Sequence, residues 1–159
     1  MEKNKKYILS IFLIIYFVFN SCAFSKDYKK NIITIIDPWI KINKINTSVA
    51  SGYLKLKNNT NEDDVLISVR SDFSQKSEIH EMTMVKNVMK MSKLENGIQV
   101  PVGKEIVLNQ GGLHLMFKNI DEKLEINGYK YVQLKFKKFG NIKVKFYIKN
   151  FEHSKKHDH

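Results

Sequence analysis

Cysteine is almost absent from this sequence of 159 residues, and its one occurrence, Cys22, lies close to the amino terminus. A single cysteine cannot form an internal disulfide, so a fold held together by disulfides is excluded. Long apolar runs are equally scarce. The only one, from Tyr7 to Phe19, is shorter than the roughly 20 residues that a membrane-spanning helix needs.

The amino-terminal segment has the features of an export signal. Basic residues precede the apolar run, and the small residues Ser21, Cys22 and Ala23 follow it. We therefore expect a signal peptide over residues 1–23, a polar lead-in over residues 24–31 and an exported protein. If the signal is cut after Ala23, no cysteine remains. If it is cut before Cys22, that cysteine carries a lipid anchor, although "FNSC" matches the usual lipoprotein sequence poorly.

Arginine is also rare, with Arg70 as the only one in a chain of formal net charge +11. The lysines alternate with apolar residues in stretches such as "YLKLK" and "IKVKFYIK", as on ordinary solvated strand faces. Specific nucleic-acid surfaces favour arginine and aromatic platforms. The composition therefore predicts no nucleic-acid partner, and a membrane contact only through the lipid anchor.

Alternation of apolar and polar residues with a period of two is the main pattern between residues 32 and 151. It predicts one all-β domain over residues 32–151, an antiparallel β-sandwich or Greek-key barrel, followed by a histidine-rich tail over residues 152–159. Candidate strands are "NIITII", "SGYLKLKN", "VLISVR", "SEIHEMTM", "VMKMSKL", "EIVLN", "GGLHLMF", "YVQLKFKK" and "NIKVKFYIK".

Signs of catalysis are missing from the same region. The sequence has no Gly-rich phosphate loop, no nucleophile elbow and no Ser-His-Asp pattern, and its acidic residues look scattered. We therefore expect no enzymatic activity.

Methionine and histidine are concentrated in one part of the domain, between His80 and Met116. Residues two apart on a strand point to the same face. "IHEMTM", "VMKM" and "LHLM" therefore each present imidazole or thioether groups on one face. The side chains concerned are His80, Met82, Met84, Met89, Met91, His114 and Met116.

This set of ligands suits a soft metal ion. Thioether sulfur and imidazole favour Cu(I), whereas Zn²⁺ prefers thiolate, imidazole and carboxylate, and Ca²⁺ and Mg²⁺ require oxygen. A blue-copper electron-transfer site is excluded because it needs a cysteine thiolate. A methionine cluster that only fills the core is the competing interpretation. The tail histidines are either part of a solvated carboxyl terminus or candidates for capturing additional copper. They are His153, His157 and His159.

The spacing of these residues resembles the periplasmic copper chaperones known as PCu(A)C. His80 is followed after ten residues by Met91, and Met91 after 22 residues by His114-Leu115-Met116. "IDPWIK", "ASGYLKLKN", "GIQVPVGKEIVL" and "YVQLKFKKFG" extend the similarity over about residues 35–148. The resemblance implies a cupredoxin-like fold and one Cu(I) bound by His80, Met91, His114 and Met116. Met82, Met84 and Met89 are secondary candidates.

The resemblance also implies a function. It indicates delivery of Cu(I) to a receiving protein such as a cytochrome c oxidase subunit, alongside a thioredoxin-like copper chaperone. We expect the protein to be a monomer. Some family members bind further copper in the tail, which here would be Cu(II). Copper sequestration or resistance without a delivery partner is the alternative, because the same ligands would serve it.

Overall fold

A computed structural model describes residues 32–42 and 48–150 of the chain. The predicted signal peptide, the lead-in up to residue 31 and the tail lie outside these described residues. The described part contains no helix that is both long and apolar enough to cross a membrane. Its regular elements are ten strands: β1 (Ile33–Ile42), β2 (Val49–Asn58), β3 (Asp64–Ser71), β4 (Ser74–Val85), β5 (Val88–Lys93), β6 (Ile98–Val100), β7 (Glu105–Leu108), β8 (His114–Ile120), β9 (Tyr129–Phe136) and β10 (Gly140–Asn150).

The all-β prediction is confirmed, and the strands hydrogen-bond in the order β5-β4-β8-β2-β1-β10-β9-β3-β6, with β7 also paired to β2. One pair differs from the antiparallel expectation. The first and last strands, β1 and β10, run parallel, with Trp39 opposite Tyr147. The sheet is therefore mixed, because the two ends of the domain meet side by side rather than through a hairpin.

The sheet curls back on itself, as the positions of β3 and β4 show. These strands lie eighth and second in the sheet order, yet only Asp72 and Phe73 separate them along the chain. The hydroxyl oxygens of Ser71 and Ser74 are 2.7 Å apart across this connection. Two layers of strands therefore face each other, and the core lies between them.

The core is formed by the apolar faces that the alternation predicted. Leu115 and Phe117 of β8 are fully buried, and Phe73 packs against Phe117 with ring centroids 4.9 Å apart. The other layer contributes Val132, Leu134, Phe136, Phe146 and Ile148. Burying one such side chain contributes roughly 1.5–3 kcal/mol. The apolar half of "GGLHLMF" therefore helps to hold the domain together.

Two features were not predicted from sequence. The three residues of β6 pair with β3, opposite Asp64, Val65 and Leu66, and are too few for a visible alternation. The strand β1 contains an irregularity between Ile36 and Trp39, where Asp37 has a positive φ of 43°.

Candidate metal centre

Three strands at one edge of the sheet, β5, β4 and β8, carry every predicted methionine and histidine ligand of the domain. Directly paired residues on neighbouring strands place their side chains on the same face. His80 pairs with His114, Met82 with Met91, Met84 with Met89 and Glu78 with Met116. The seven predicted side chains therefore share one face, and the core residues Ile79 and Leu115 occupy the other.

A two-residue turn fixes the pairing of β4 with β5. Lys86 and Asn87 both have positive φ values, 50° and 62°, and Val85 pairs with Val88 on either side of them. This is the backbone of a type I′ turn, whose twist matches that of a hairpin. The sequence offered only a weak signal for it, because lysine is uncommon at positive φ. The turn determines that Met82 meets Met91.

The two histidines form the centre of this face. Their ring centroids are 5.7 Å apart, and His80 and His114 are only 5% and 3% exposed. The predicted pair is thus brought together and largely withdrawn from solvent. Burial of imidazoles is costly unless their polar atoms find partners, so the partners of each ring nitrogen decide what the pair can do.

Glu78 is a functional candidate that the sequence interpretation missed. Its carboxylate is buried and accepts hydrogen bonds from Lys118 Nζ at 2.9 Å, His80 Nε2 at 2.9 Å and Lys76 Nζ at 3.1 Å. The hydrogen bond from Lys118, followed by that from His80, lowers the pKa of Glu78 to about 2 against the opposing effect of burial. The sequence shows only that Glu78 lies two residues before His80 and so shares its face.

The contact with Glu78 determines which nitrogen of His80 is free. An ionised carboxylate can only accept, so His80 Nε2 carries a proton and donates it. The other ring nitrogen, Nδ1, is buried and has no hydrogen-bond partner; it is the only such side-chain nitrogen or oxygen within residues 32–42 and 48–150. A protonated Nδ1 would be a buried donor without an acceptor. In its neutral form the ring therefore presents the lone pair of Nδ1.

His114 is arranged in the opposite sense. Its Nδ1 donates to the carbonyl oxygen of Gly112 at 3.0 Å, because a carbonyl can only accept. Burial, with a smaller contribution from nearby His80, lowers the pKa of His114 despite that hydrogen bond. The ring is therefore neutral at pH 7, and its Nε2 lone pair is the one available to a ligand. The two rings offer different nitrogens to the same face.

The two predicted methionine ligands flank the histidine pair on different sides. Met91, on the neighbouring strand β5, lies closer to the hairpin turn than His80 does. Met116, on β8, lies opposite Glu78, on the side of His80 away from the turn. Met116 is half-buried, and its sulfur is 4.0 Å from the hydroxyl of Ser51, which donates to it. Met91 is 47% exposed. The structure thus places all four predicted ligands on one face, with the thioethers on either side of the imidazoles.

The chemistry of this face is that of soft donors. Within the part of the chain that the structure describes, no group of three or more His, Cys, Asp or Glu side chains is arranged to hold a metal ion. The paired strands bring thioether sulfur and imidazole to one face, a combination that suits Cu(I). The tail histidines His153, His157 and His159 lie outside the described residues.

Known proteins resemble this chain in fold. Residues 33–148 match the family model described as "Putative lipoprotein LpqE-like", while no curated protein matches. Among solved structures, the copper-bound PCuAC domain from PmoF2 is 19% identical, with a TM-score of 0.62, covering 75% of this chain and 93% of that domain. The apo PCuAC domain from PmoF1 is 20% identical, with a TM-score of 0.63, covering 75% and 94%. The Cu(I) form of DR1885 from Deinococcus radiodurans is 16% identical, with a TM-score of 0.57, covering 80% and 85%.

Proposed function

This chain belongs to the LpqE-like family, and from that premise we propose that it is an exported copper chaperone without catalytic activity. It binds one Cu(I) ion, as cargo, through His80, Met91, His114 and Met116. The similarity to PCuAC domains supports the fold on which this proposal depends, and the proposal itself rests on the residues of this chain. The name of its family, which describes a lipoprotein, supports export.

The observation that carries the proposal is the unpartnered nitrogen of His80. Buried polar atoms almost always have a hydrogen-bond partner, and an exception needs an explanation. Here Nδ1 lies in a buried imidazole whose ring faces a second histidine, on a face with five thioethers. A metal ion would supply the missing partner, and only one that accepts neutral sulfur ligands would use the surrounding methionines.

The same ligands suit a carrier better than a permanent store. All four are neutral, so they leave the charge of the ion uncompensated, whereas thiolates would neutralise it and hold it more tightly. Met91 is exposed at the edge strand β5, where the ligands of a partner can replace it first. The ion would then leave by stepwise exchange of ligands. We propose a cytochrome c oxidase subunit as the recipient, in the periplasm, with a thioredoxin-like copper chaperone as a further partner.

Anaerobic titration with Cu(I) against a competing Cu(I) chelator tests this function. The full chain should bind one equivalent strongly, and His114→Ala and Met91→Ala should each weaken it. Loss of a single outer hydrogen-bond partner of a ligand already costs about 10–100-fold in affinity, so loss of His114 itself should cost at least about 100-fold. Thr83→Ala serves as the control, because Thr83 is exposed on the opposite face of β4.

Circular dichroism and thermal unfolding of the same variants show whether the fold is retained. If His114→Ala and Met91→Ala are folded and bind Cu(I) as strongly as the unaltered chain, the proposed site is wrong. A strong preference for Zn²⁺ over Ag(I) in the unaltered chain would also contradict it, because thioether ligands select soft ions.

A further inference from the structure

The β4–β5 hairpin carries more thioether groups than the proposed site uses. Two cross-strand pairs, Met82 with Met91 and Met84 with Met89, lie in line between the histidines and the turn. The proposed site accounts for Met91 alone. Successive pairs along a strand are separated by two residues, or about 7 Å. The face therefore presents a row of sulfur atoms that leads from the tip of the hairpin to His80.

The pairing pattern brings these side chains close together. The backbone N–H of Leu94 donates to the carbonyl of Ile79 at 2.9 Å, which makes these two residues a hydrogen-bonded pair of the β4–β5 ladder. Hydrogen-bonded and non-hydrogen-bonded pairs alternate, so both methionine pairs are of the non-hydrogen-bonded kind. Directly opposite residues have Cβ atoms about 4.5–5.5 Å apart, and non-hydrogen-bonded pairs lie near the lower limit of this range. Two flexible thioethers at that separation can contact one ion.

Burial rules out a simple packing role for the outer pair. Met84 is 63% exposed and Met89 is 43% exposed, and every residue of β5 is exposed. These side chains add little to the core, where burial would stabilise the fold. An ion arriving from solvent therefore meets the exposed sulfurs of the hairpin before it meets His80 and His114, which are buried.

Charges near the row permit a cation to approach. Lys93 lies opposite His80 on this face, but its Nζ is 2.7 Å from Glu95 Oε2. Lys90 pairs with Thr83, which places it on the other face of the hairpin. Lys86 lies in the exposed turn beyond Met84 and Met89, where salt screens its repulsion of a monovalent cation.

We propose that Met84 and Met89, with Met82, form a second, weaker soft-metal site that receives Cu(I) and passes it to the histidine pair. This inference rests on the proposed function, because the row leads to that site. Transfer is a series of ligand exchanges in which each new sulfur–metal contact forms as an older one breaks. The ion stays Cu(I), so no electron or proton has to be supplied.

Methyl NMR of the full chain, labelled with ¹³C at the methionine methyl groups, tests the second site directly. Ag(I) serves as the probe because it is a soft monovalent ion that does not change oxidation state. The first equivalent should shift the signals of Met91 and Met116, and a second equivalent should shift those of Met84 and Met89. The double variant Met84→Leu/Met89→Leu should lose the second event and keep the first.

Stopped-flow transfer of Cu(I) from a chelate measures the receiving role. The double variant should load the histidine site about tenfold more slowly, because the nearby sulfurs no longer raise the local concentration of the ion, while its final affinity stays the same. Leucine preserves the size and apolar character of methionine, and thermal unfolding checks that the hairpin is intact. Val88→Leu, which changes an exposed apolar residue next to the turn, is the matched control.

The outcomes separate the two proposals. If Met84 and Met89 stay unshifted through two equivalents while Met91 and Met116 respond, the second site does not exist and the chaperone proposal stands. If the double variant loses the first event as well, the sulfurs form one site and the inference is overturned. In His114→Ala, continued shifts of Met84 and Met89 would support an independent hairpin site. If Met91 and Met116 fail to respond in the unaltered chain, the proposed function itself fails.

Discussion

Two buried carboxylates on consecutive strands, Asp64 of β3 and Glu78 of β4, show how differently one fold can use the same chemical group. Asp64 accepts hydrogen bonds from the backbone N–H groups of Val65, Lys138 and Phe139 at 2.7–2.9 Å. Burial would raise the pKa of Asp64, but these three bonds together hold it below its usual value. Every donor in this cluster is part of the main chain, so the cluster fixes the turn after β9 to the start of β3.

Glu78, by contrast, accepts only from side chains, two of which are lysines that reach in from the surface. Its third donor, His80, keeps one ring nitrogen without a partner. The structural cluster is thus complete within itself, whereas the candidate metal centre holds a buried atom ready for a ligand from outside. Both carboxylates are buried and charged, so what distinguishes the site from the scaffold is a buried polar atom that has no hydrogen-bond partner.

Removing the Asp64 carboxylate should have the largest effect on stability. Asp64→Ala leaves backbone N–H groups of the β3–β9 cluster without an acceptor, and we expect a loss of about 3 kcal/mol in the free energy of unfolding. Urea denaturation measures this loss. The Cu(I) affinity of the folded variant should remain unchanged. A loss of affinity would contradict the view that Asp64 has only a structural role.

Removing the Glu78 carboxylate should affect binding more than folding. In Glu78→Ala the proton is no longer held on His80 Nε2, and we expect Cu(I) affinity to fall about 10–100-fold. Glu78→Gln retains an oxygen acceptor and should recover part of this loss. Nitrogen-15 NMR of the imidazoles should report a change in the His80 tautomer for the alanine variant only.

The control for this comparison is Glu81→Ala, since Glu81 lies on the same strand but on the opposite face. It should keep both the tautomer and the affinity. Full Cu(I) affinity in a folded Glu78→Ala variant would mean that Glu78 does not position His80.

Acid should produce the smallest effect, and the sign follows from the two lowered pKa values. A carboxyl group whose pKa is lower in the folded chain stabilises it fully above the ordinary pKa, which is 4.5 for Glu78 and 3.8 for Asp64. That stabilisation begins to decline as the pH approaches the ordinary values, and it is lost as the pH falls through the lowered values, which for Glu78 is about 2. Between pH 7 and pH 4 we expect a loss of about 1 kcal/mol.

Chemical denaturation of the metal-free chain across this range measures the slope. Glu78→Gln and Asp64→Asn should each flatten it, since neither replacement titrates. A slope that is unchanged in both variants would show that other groups govern the acid response.

Sequence reasoning captured what depends on local pattern. Alternation put His114 and Met116 on one face of their strand, and the structure agrees, with Leu115 and Phe117 buried in the core on the other face. It did not find Glu78, because a carboxylate next to a strand histidine looks like any solvated charge until Lys118 and Lys76 are placed beside it. The parallel pairing of β1 with β10 could not be predicted either, because it joins residues more than 100 positions apart.

The role of the four predicted ligands around one ion stays a prediction, for a similar reason. Spacing established that His80 and Met91 belong to adjacent segments, and the register of β4 with β5 follows from the turn at Lys86 and Asn87. How far flexible thioether side chains converge depends on the ion they bind. A sequence pattern can predict which side chains are ligands and which face of the strand they occupy. It cannot predict where their sulfur atoms finally lie.

Alternate residues of β8 belong to the core and to the candidate centre. A change in the pairing of this strand therefore affects both. A slip of its pairing by a single position would turn His114 into the interior and bring Leu115 out among the methionines. Such a change would cost folding free energy and abolish the donor set at once. Variation in this segment is therefore confined to substitutions in place, and insertions or deletions should be tolerated only in the loops on either side.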